Sequence, residues 1–310
     1  MDAINYLRIS VTSECNENCW YCYNEGLDKE KILLSDIEGF KWLINNIICH
    51  YGVKIVRFTG GEPLLNPKIT SLIEIVKNSS TKVIGLTTNG VLLPNYYKEI
   101  NRIAQVQYSV HIYQIDKYDC NIDDIVQFIS HISSIVKSVR FNIVVTKSNI
   151  EIIKLIVKYT IEHNINLLLL ELLQAKNDFE TFSNNHCSLD EIKHTLHDEF
   201  GLSCTRQNKN SNIYSNGKMS IKVVESYVNG TNFTEYCTKN LSYNPVIISS
   251  DFTMMVCNHF GKKAFQLKDA VKSRDETQLY FIVDKALKYL LSCNECKRCE
   301  ILTDYLYDLS

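Results

Sequence analysis

Cys15-Asn16-Glu17-Asn18-Cys19-Trp20-Tyr21-Cys22 is the stretch that decides what kind of protein this is. Its three cysteines have the spacing C-x3-C-x2-C and follow a short apolar run, Tyr6–Val11. Three thiolates on one loop can bind a four-iron cluster and leave one iron without a protein ligand. A structural metal site would normally have a fourth ligand nearby, and none stands beside this loop. The spacing therefore predicts an iron–sulfur cluster with an open iron. A zinc site completed by a distant ligand, or unliganded thiols, are the alternatives.

Length and composition narrow the class of protein. The chain has 310 residues, 45% of them apolar, with a formal net charge of -2 and 12 cysteines. This suits one large domain or a large and a small one, and it gives no reason to expect nucleic acid as a partner. We see no signal peptide and no apolar run near the ~18 residues that a membrane span needs, so we expect a cytoplasmic location without a membrane. There, cysteines are more often metal ligands or free thiols than disulfides.

Short apolar runs alternate with helical patterns over the first part of the chain. The alternation predicts an α/β fold with a parallel sheet, a partial (β/α)6 TIM-like barrel. One helix is predicted over Leu34–Tyr51, with Ser35 and Glu38 as a capping box. The six predicted strands are Asn5–Thr12, Val53–Thr59, Lys82–Thr88, Gln105–Ile112, Val139–Thr146 and Asn166–Leu172.

The pattern changes after about residue 175, which predicts a second, smaller part of the chain. We divide the chain into a core at residues 1–200 and a small α+β domain at residues 201–310. Lys176–Asn185 is polar and is predicted as a loop. The remaining elements predicted here are a helix over Ser188–Phe200, hairpins within Cys204–Gly230 and Val246–Val256, and a helix over Thr277–Leu291.

Three short motifs lie at the carboxyl ends of predicted strands. They are Gly60-Gly61-Glu62-Pro63, Thr87-Thr88-Asn89-Gly90 and Ser109-Val110-His111. Ligands of parallel α/β folds collect at the carboxyl ends of strands, and these motifs, like the cysteine loop, all lie at such ends. Their agreement favours one ligand site there.

The cysteine loop resembles the signature C-x3-C-x-aromatic-C of the radical S-adenosylmethionine superfamily, with Tyr21 at the aromatic position. The resemblance covers the first two thirds of the chain. It implies a [4Fe-4S] cluster on Cys15, Cys19 and Cys22, whose open iron binds the amino and carboxylate groups of S-adenosylmethionine. It also implies reductive cleavage of this cofactor to a 5′-deoxyadenosyl radical, which abstracts hydrogen from a substrate C–H bond.

The same resemblance assigns residues around the cofactor. Gly60-Gly61-Glu62-Pro63 is similar to the GGEP element of the family, which implies that Gly60, Gly61 and Glu62 contact the methionine ammonium. Thr88 and Ser109 would contact the methionine carboxylate or the ribose. The alternatives are an ordinary turn and simple strand-end capping. No catalytic acid or base is assigned, and His111 is interpreted as a hydrogen-bonded structural residue.

A second set of cysteines lies near the end of the chain and resembles the Twitch form of the SPASM/Twitch auxiliary domains. The resemblance assigns a closed second [4Fe-4S] cluster to four ligands and leaves Cys299 over. A zinc knot, or Cys299 in place of one ligand, are alternatives. Relatives often have Asp-Gly at the hairpin tip where this chain has Asp251-Phe252. The four assigned ligands are Cys237, Cys257, Cys293 and Cys296.

The resemblance implies an enzyme that takes electrons from a partner such as flavodoxin or ferredoxin. We predict that it modifies a ribosomally made peptide. Alternatives are a dehydrogenase of carbohydrates or other small molecules, a GTP 3′,8-cyclase-like enzyme and a non-enzymatic metal-binding module. The cyclase reading lacks support where Cys237-Thr238-Lys239-Asn240 stands in place of Cys-x2-Cys-Asn-Arg.

Overall fold

A computed structural model describes residues 4–22, 32–116, 120–172, 179–207, 211–225, 246–256 and 264–292. Parallel strands followed by helices confirm the predicted α/β class. The strands are β1 Tyr6–Ser10, β2 Ile55–Thr59, β3 Val83–Thr88, β4 Val106–His111, β5 Val139–Val145, β6 Asn166–Glu171, β7 Ser203–Gln207, β8 Ser211–Ser215, β9 Ser220–Val224, β10 Val246–Ile248, β11 Thr253–Met255 and β12 Ala264–Gln266. The α-helices are α1 Ile37–Tyr51, α2 Ile69–Lys77, α3 Leu93–Ile103, α4 Ile122–Ile135, α5 Ile150–Glu162, α6 Phe179–Asn185, α7 Asp190–His194, α8 Lys268–Ser273 and α9 Glu276–Ser292.

The chain forms two compact units. The first comprises Met1–Asn18, Asn24–Gln107 and Phe233–Ser310, and the second comprises Cys19–Tyr23 and Tyr108–Asn232. The division into residues 1–200 and 201–310 stays a prediction.

In the first unit the strand order is β12-β11-β10-β1-β2-β3, with β10, β1, β2 and β3 parallel. The register places Leu7 beside Val246 and Ile9 beside Ile248. Every residue of β1 and β2 is buried, as expected of parallel strands that are covered on both faces. The predicted hairpin around Ser249-Ser250-Asp251 is confirmed, because β11 returns antiparallel to β10.

In the second unit the order is β4-β5-β6-β9-β8-β7, with β4, β5, β6 and β9 parallel. The hairpins predicted within Cys204–Gly230 are confirmed, because β8 pairs antiparallel with both β7 and β9. The pattern did not predict that β9 also pairs in parallel with β6, where Leu168 lies beside Lys222. Each unit therefore has four adjacent parallel strands followed by two antiparallel ones.

Two local predictions were wrong. The first helix begins later than predicted, with Asp36 as its N-cap; the carboxylate accepts a hydrogen bond from the Gly39 N–H at 2.8 Å. Asp caps as well as Ser, so composition alone did not choose between Ser35 and Asp36. The segment Lys176–Asn185, predicted as a loop because it is polar, contains the short helix α6. In the described residues, no helix is both long and apolar enough to span a bilayer.

Candidate functional site

The backbone that leads to Cys15 is bound to the end of β2. The N–H of Gly61 donates to the Thr12 carbonyl at 2.8 Å, and the N–H of Glu62 donates to the Glu14 carbonyl at 2.7 Å. A Cβ atom on Gly60 or Gly61 would collide with this same backbone, and Gly60 has φ +146°. The two glycines are therefore needed where β2 meets the cysteine loop, in addition to any approach to a ligand.

Glu62 is fully buried and is held by three hydrogen bonds. One carboxylate oxygen accepts from the Thr88 hydroxyl at 2.7 Å and from the Leu64 N–H at 3.0 Å. The other accepts from the Asn89 N–H at 2.7 Å. Burial raises the pKa of Glu62, whereas these donors act in the opposite direction. Thr88 in turn accepts from the Gly90 N–H at 3.0 Å, so its hydroxyl is committed to this network.

The Asn89 side chain connects the same network to the cysteine loop. Its amide nitrogen donates to the side-chain oxygen of Asn16 at 2.8 Å and lies 3.9 Å from the Cys15 sulfur. Its amide oxygen accepts from the Val91 N–H at 3.1 Å. The sequence analysis noted Asn89 as part of a strand-end motif but assigned its side chain no role.

In the second unit, the ring of Tyr21 lies against that of His111. Their centroids are 5.8 Å apart in an edge-to-face arrangement. His111 Nδ1 lies 2.9 Å from the Asn142 carbonyl, and burial lowers the pKa of His111. A neutral imidazole that donates from Nδ1 has its acceptor at Nε2. His111 is thus hydrogen-bonded, as predicted, and next to the aromatic residue of the cysteine motif.

Ser109 lies beside a buried arginine that the sequence analysis did not single out. Arg140 on β5 donates from one terminal nitrogen to the Ser109 hydroxyl at 3.3 Å and from Nε to the Asn142 side chain at 3.4 Å. Ser109 is 1% and Arg140 5% exposed. The sequence did contain a signal for Arg140, because a single charged residue within an apolar strand indicates a polar group in the protein interior.

Two more buried arginines face each other across β1 and β2 in the first unit. Arg8 pairs in register with Arg57, and both are less than a tenth exposed. Arg8 lies within 3.4 Å of the Thr59 hydroxyl, and Arg57 within 3.5 Å of the Thr87 hydroxyl. Burial, and secondarily the charge of Arg8, lowers the pKa of Arg57 against the opposing effect of Tyr6. These arginines were also overlooked in the sequence, although each interrupts an apolar run.

Cys15, Cys19 and Cys22 form no disulfide, and their side chains are exposed or partly exposed. No three His, Cys, Asp or Glu side chains in the described part of the chain are grouped as in a metal site. Three accessible thiols on one short loop nevertheless form a donor set that suits an iron–sulfur cluster. The four cysteines assigned to the second cluster, Cys237, Cys257, Cys293 and Cys296, lie outside the described residues.

Comparison with protein families gives a match to the region of the strand-end motifs and beyond. A family model described as the radical SAM superfamily matches residues 9–171, which is more than half of the chain. This range contains the cysteine loop and all three strand-end motifs.

Curated proteins with similar sequences have one recurring name. A "Probable GTP 3',8-cyclase" of Sulfurisphaera tokodaii is 27% identical over 87% of this chain and 86% of its own. One from Methanococcus aeolicus is 26% identical over 90% and 97%. A third, from Methanococcus maripaludis, is 33% identical, but over 36% of this chain and 38% of its own.

Solved structures show the same fold at low sequence identity. "Native anSMEcpe with bound AdoMet and Cp18Cys peptide" superimposes with a TM-score of 0.61 at 16% identity, over 96% of this chain and 87% of that one. "Native anSMEcpe with bound AdoMet" gives 0.60 at 15% identity, over 97% and 91%. At such identity, the likeness concerns the fold alone.

Proposed function

The chain belongs to the radical SAM superfamily, whose enzymes use a [4Fe-4S] cluster, S-adenosylmethionine and an electron donor, and we propose that Cys15, Cys19 and Cys22 bind the cluster. When bound and reduced, the cluster supplies the electron that cleaves S-adenosylmethionine to a 5′-deoxyadenosyl radical. The protein's own part is to orient the cofactor and to exclude water and oxygen. The electron donor that we propose is a flavodoxin or ferredoxin.

The observation that carries the proposal is the buried Glu62 network. It joins the end of β2, the end of β3 and the backbone before Cys15 through hydrogen bonds of 2.7 to 3.0 Å. We assign the methionine ammonium to the backbone carbonyls of Gly60 and Gly61, with the charge of Glu62 behind them. Thr88 then acts by holding Glu62 rather than by touching the cofactor.

The methionine carboxylate would be bound at Ser109, beside the buried Arg140. Arg140 donates to the Ser109 hydroxyl, and its guanidinium supplies the positive charge that a carboxylate needs. Tyr21, with His111 behind its ring, would pack against the nucleoside.

Anaerobic reconstitution tests the core of the proposal. We expect reductant-dependent release of 5′-deoxyadenosine, and we expect Cys19→Ala to abolish it because an iron loses its ligand. Cys204→Ala, which removes an exposed thiol outside the loop, is the matched control. Absence of S-adenosylmethionine cleavage by the fully iron-loaded wild type would refute the proposal.

A second [4Fe-4S] cluster on Cys237, Cys257, Cys293 and Cys296 is the next part of the proposal. Its support is that β11 ends two residues before Cys257 and that α9 ends one residue before Cys293. Phe252, where relatives often have glycine, has φ +63°, a backbone conformation that glycine adopts easily.

Iron content tests this second cluster. Two four-iron clusters correspond to about eight irons per chain. Cys293→Ala should lower the content by about four and should block product formation while S-adenosylmethionine cleavage continues. Zinc in place of the second set of irons would indicate a zinc knot instead. Retained iron with full turnover would point to Cys299 as a substitute ligand.

For the substrate we keep a ribosomally made peptide as the first candidate. Its support is the Twitch-like arrangement of the later cysteines together with the departure from the cyclase pattern at Cys237-Thr238-Lys239-Asn240. Dehydrogenases of carbohydrates or other small molecules can have the same arrangement of domains, so this activity is the alternative to peptide modification.

GTP is the second candidate, and two observations favour it. The curated relatives that cover almost nine tenths of the chain have the cyclase name. Arg8 and Arg57 place two like charges opposite each other in a buried position, which a bound polyanion would stabilise.

Incubation of the reconstituted enzyme with GTP separates these candidates. Formation of a cyclised nucleotide that Arg57→Met abolishes would favour the cyclase. Loss of hydrogen from a candidate peptide to 5′-deoxyadenosine, with GTP inert, would favour the maturase.

A further inference from the structure

Besides its part in the Glu62 network, Asn89 has a side chain that points at a cluster-forming cysteine. The amide NH2 group has two donors. One N–H bonds to the Asn16 side chain at 2.8 Å, while the nitrogen lies 3.9 Å from the Cys15 sulfur. The amide oxygen is held by the Val91 N–H, which sets which end of the amide faces the loop. This orientation leaves the second N–H for the sulfur.

From this geometry we propose that Asn89 donates an N–H···S hydrogen bond to the Cys15 thiolate and thereby raises the reduction potential of the cluster. The proposal rests on the cluster assignment to Cys15, Cys19 and Cys22. Hydrogen bonds to cluster sulfurs are among the factors that set iron–sulfur potentials, because they stabilise the more negative, reduced state. A thiolate attracts the donor more strongly than a thiol does, so the contact shortens when Cys15 ligates iron.

Asn89 performs this role independently of the network around Glu62. Its backbone N–H, not its side chain, donates to the Glu62 carboxylate. A change of the side chain therefore removes the sulfur contact and leaves the bond to Glu62 available. Thr88 gives the opposite case, because its hydroxyl reaches Glu62 and no bond of it to the cysteine loop is described.

The test is an EPR-monitored reductive titration of the reconstituted enzyme. The signal that changes when S-adenosylmethionine is added identifies the cluster with the open iron. We expect Asn89→Ala to shift its reduction equilibrium at least threefold toward the oxidised state, which is about 28 mV for one electron. Asn89→Asp, which also adds a negative charge, should shift it further in the same direction.

Two controls separate this role from a merely structural one. Asn95→Ala, an exposed asparagine on α3, should leave the potential unchanged. Asn89→Ala should keep the wild-type iron content and the wild-type affinity for S-adenosylmethionine. An unchanged potential in an Asn89→Ala protein with full iron content would overturn the proposal.

A second measurement covers the case in which Asn89→Ala fails to hold iron. In the wild type labelled with ¹⁵N-asparagine, hyperfine spectroscopy of the reduced cluster should detect a coupled ¹⁵N nucleus and a deuteron that exchanges in D2O. Absence of both couplings would overturn the inference. Failure of the wild type itself to form a four-iron signal would instead refute the proposed function.

Discussion

The two candidate ligand clusters differ in charge: the one around Glu62 in the first unit is acidic, and the one around Arg140 in the second unit is basic. In the first, Glu62 is fully buried and accepts hydrogen bonds from Leu64, Thr88 and Asn89. In the second, Arg140 is buried and donates to Ser109 and Asn142, and burial lowers the pKa of the neighbouring His111. Glu62 follows a parallel strand and Arg140 belongs to one, and both charged side chains are buried.

The opposite charges of the two clusters indicate that each suits a different charged group of a zwitterionic ligand. A buried charge is costly unless it is hydrogen-bonded or compensated by an opposite charge. The methionine part of S-adenosylmethionine has one ammonium and one carboxylate. Taken separately, the cluster around Glu62 suits an ammonium and the cluster around Arg140 suits a carboxylate.

Glu62→Gln should have the largest effect on cofactor binding. The substitution keeps the volume but removes the charge, and it places an amide N–H group against the donors that now bind the carboxylate. We expect S-adenosylmethionine to bind about 100-fold more weakly, or roughly 2.7 kcal/mol, in anaerobic equilibrium dialysis. Glu74→Gln, on the exposed side of α2, is the control and should bind normally. Normal binding by Glu62→Gln would show that the acidic side does not recognise the ammonium.

Arg140→Met tests the basic side. Met approximates the length of the aliphatic stem but has no guanidinium, so Ser109 loses its donor and the site loses its positive charge. We expect roughly tenfold weaker binding of S-adenosylmethionine, since hydrogen bonds to charged groups contribute about 1.5–3 kcal/mol. Arg140→Lys should recover part of the affinity, because lysine keeps the positive charge but lacks the planar set of N–H donors of the guanidinium. Equal affinities of wild type and Arg140→Met would leave the carboxylate without its proposed partner.

Thr88→Val should change the pH dependence rather than only the rate. The Thr88 hydroxyl stabilises the ionised form of Glu62, so its loss raises the pKa of Glu62 further. Glu62 must be ionised to attract an ammonium, and it is protonated below its pKa. The acidic limb of the profile for 5′-deoxyadenosine formation should therefore move to higher pH, with a loss of about 1–3 kcal/mol in stability from the unpaired buried groups. Thr88→Ser should restore the wild-type profile; the same acidic limb in all three proteins would contradict this role.

His111→Gln should have the smallest effect, on the pH dependence of stability. Burial lowers the pKa of His111 below its ordinary value of 6.5, so below this value the unfolded chain binds a proton that the folded chain does not. The contribution of His111 is therefore present above pH 6.5 and is lost as the pH falls. Urea unfolding above and below this pH should show that the wild type loses more stability than His111→Gln on acidification. Equal losses in both proteins would mean that His111 titrates normally.

Much of the fold could be read from the sequence because hydrophobic runs and turn residues act locally. All six parallel strands of the predicted core occur within a few residues of their predicted ends. The pairing of β9 with β6 and of β10 with β1 could not be read, since strand pairing over long sequence separations leaves no local pattern. The capping error at Ser35 had a local origin, because the neighbouring Asp36 is an equally good cap.

The candidate site divides in the same way. The sequence predicted candidate site residues where a motif marks them, as at Glu62, Thr88 and Ser109. Arg140 and the side chain of Asn89 were missed because their importance lies in what they contact. Arg140 reaches a serine 31 residues earlier in the chain, and Asn89 approaches a cysteine 74 residues earlier.

The sequence alone indicated the family and predicted a cluster on Cys15, Cys19 and Cys22, because the spacing of thiols along one loop limits which metal centre they can form. It also placed the polar motifs at the ends of strands, because parallel α/β folds collect ligands there. The tertiary structure decided which of those residues are buried, which charge each set holds, and that Asn89 lies between Glu62 and Cys15. These properties depend on distances across strands and on the exclusion of water, and both arise only when distant segments pack together.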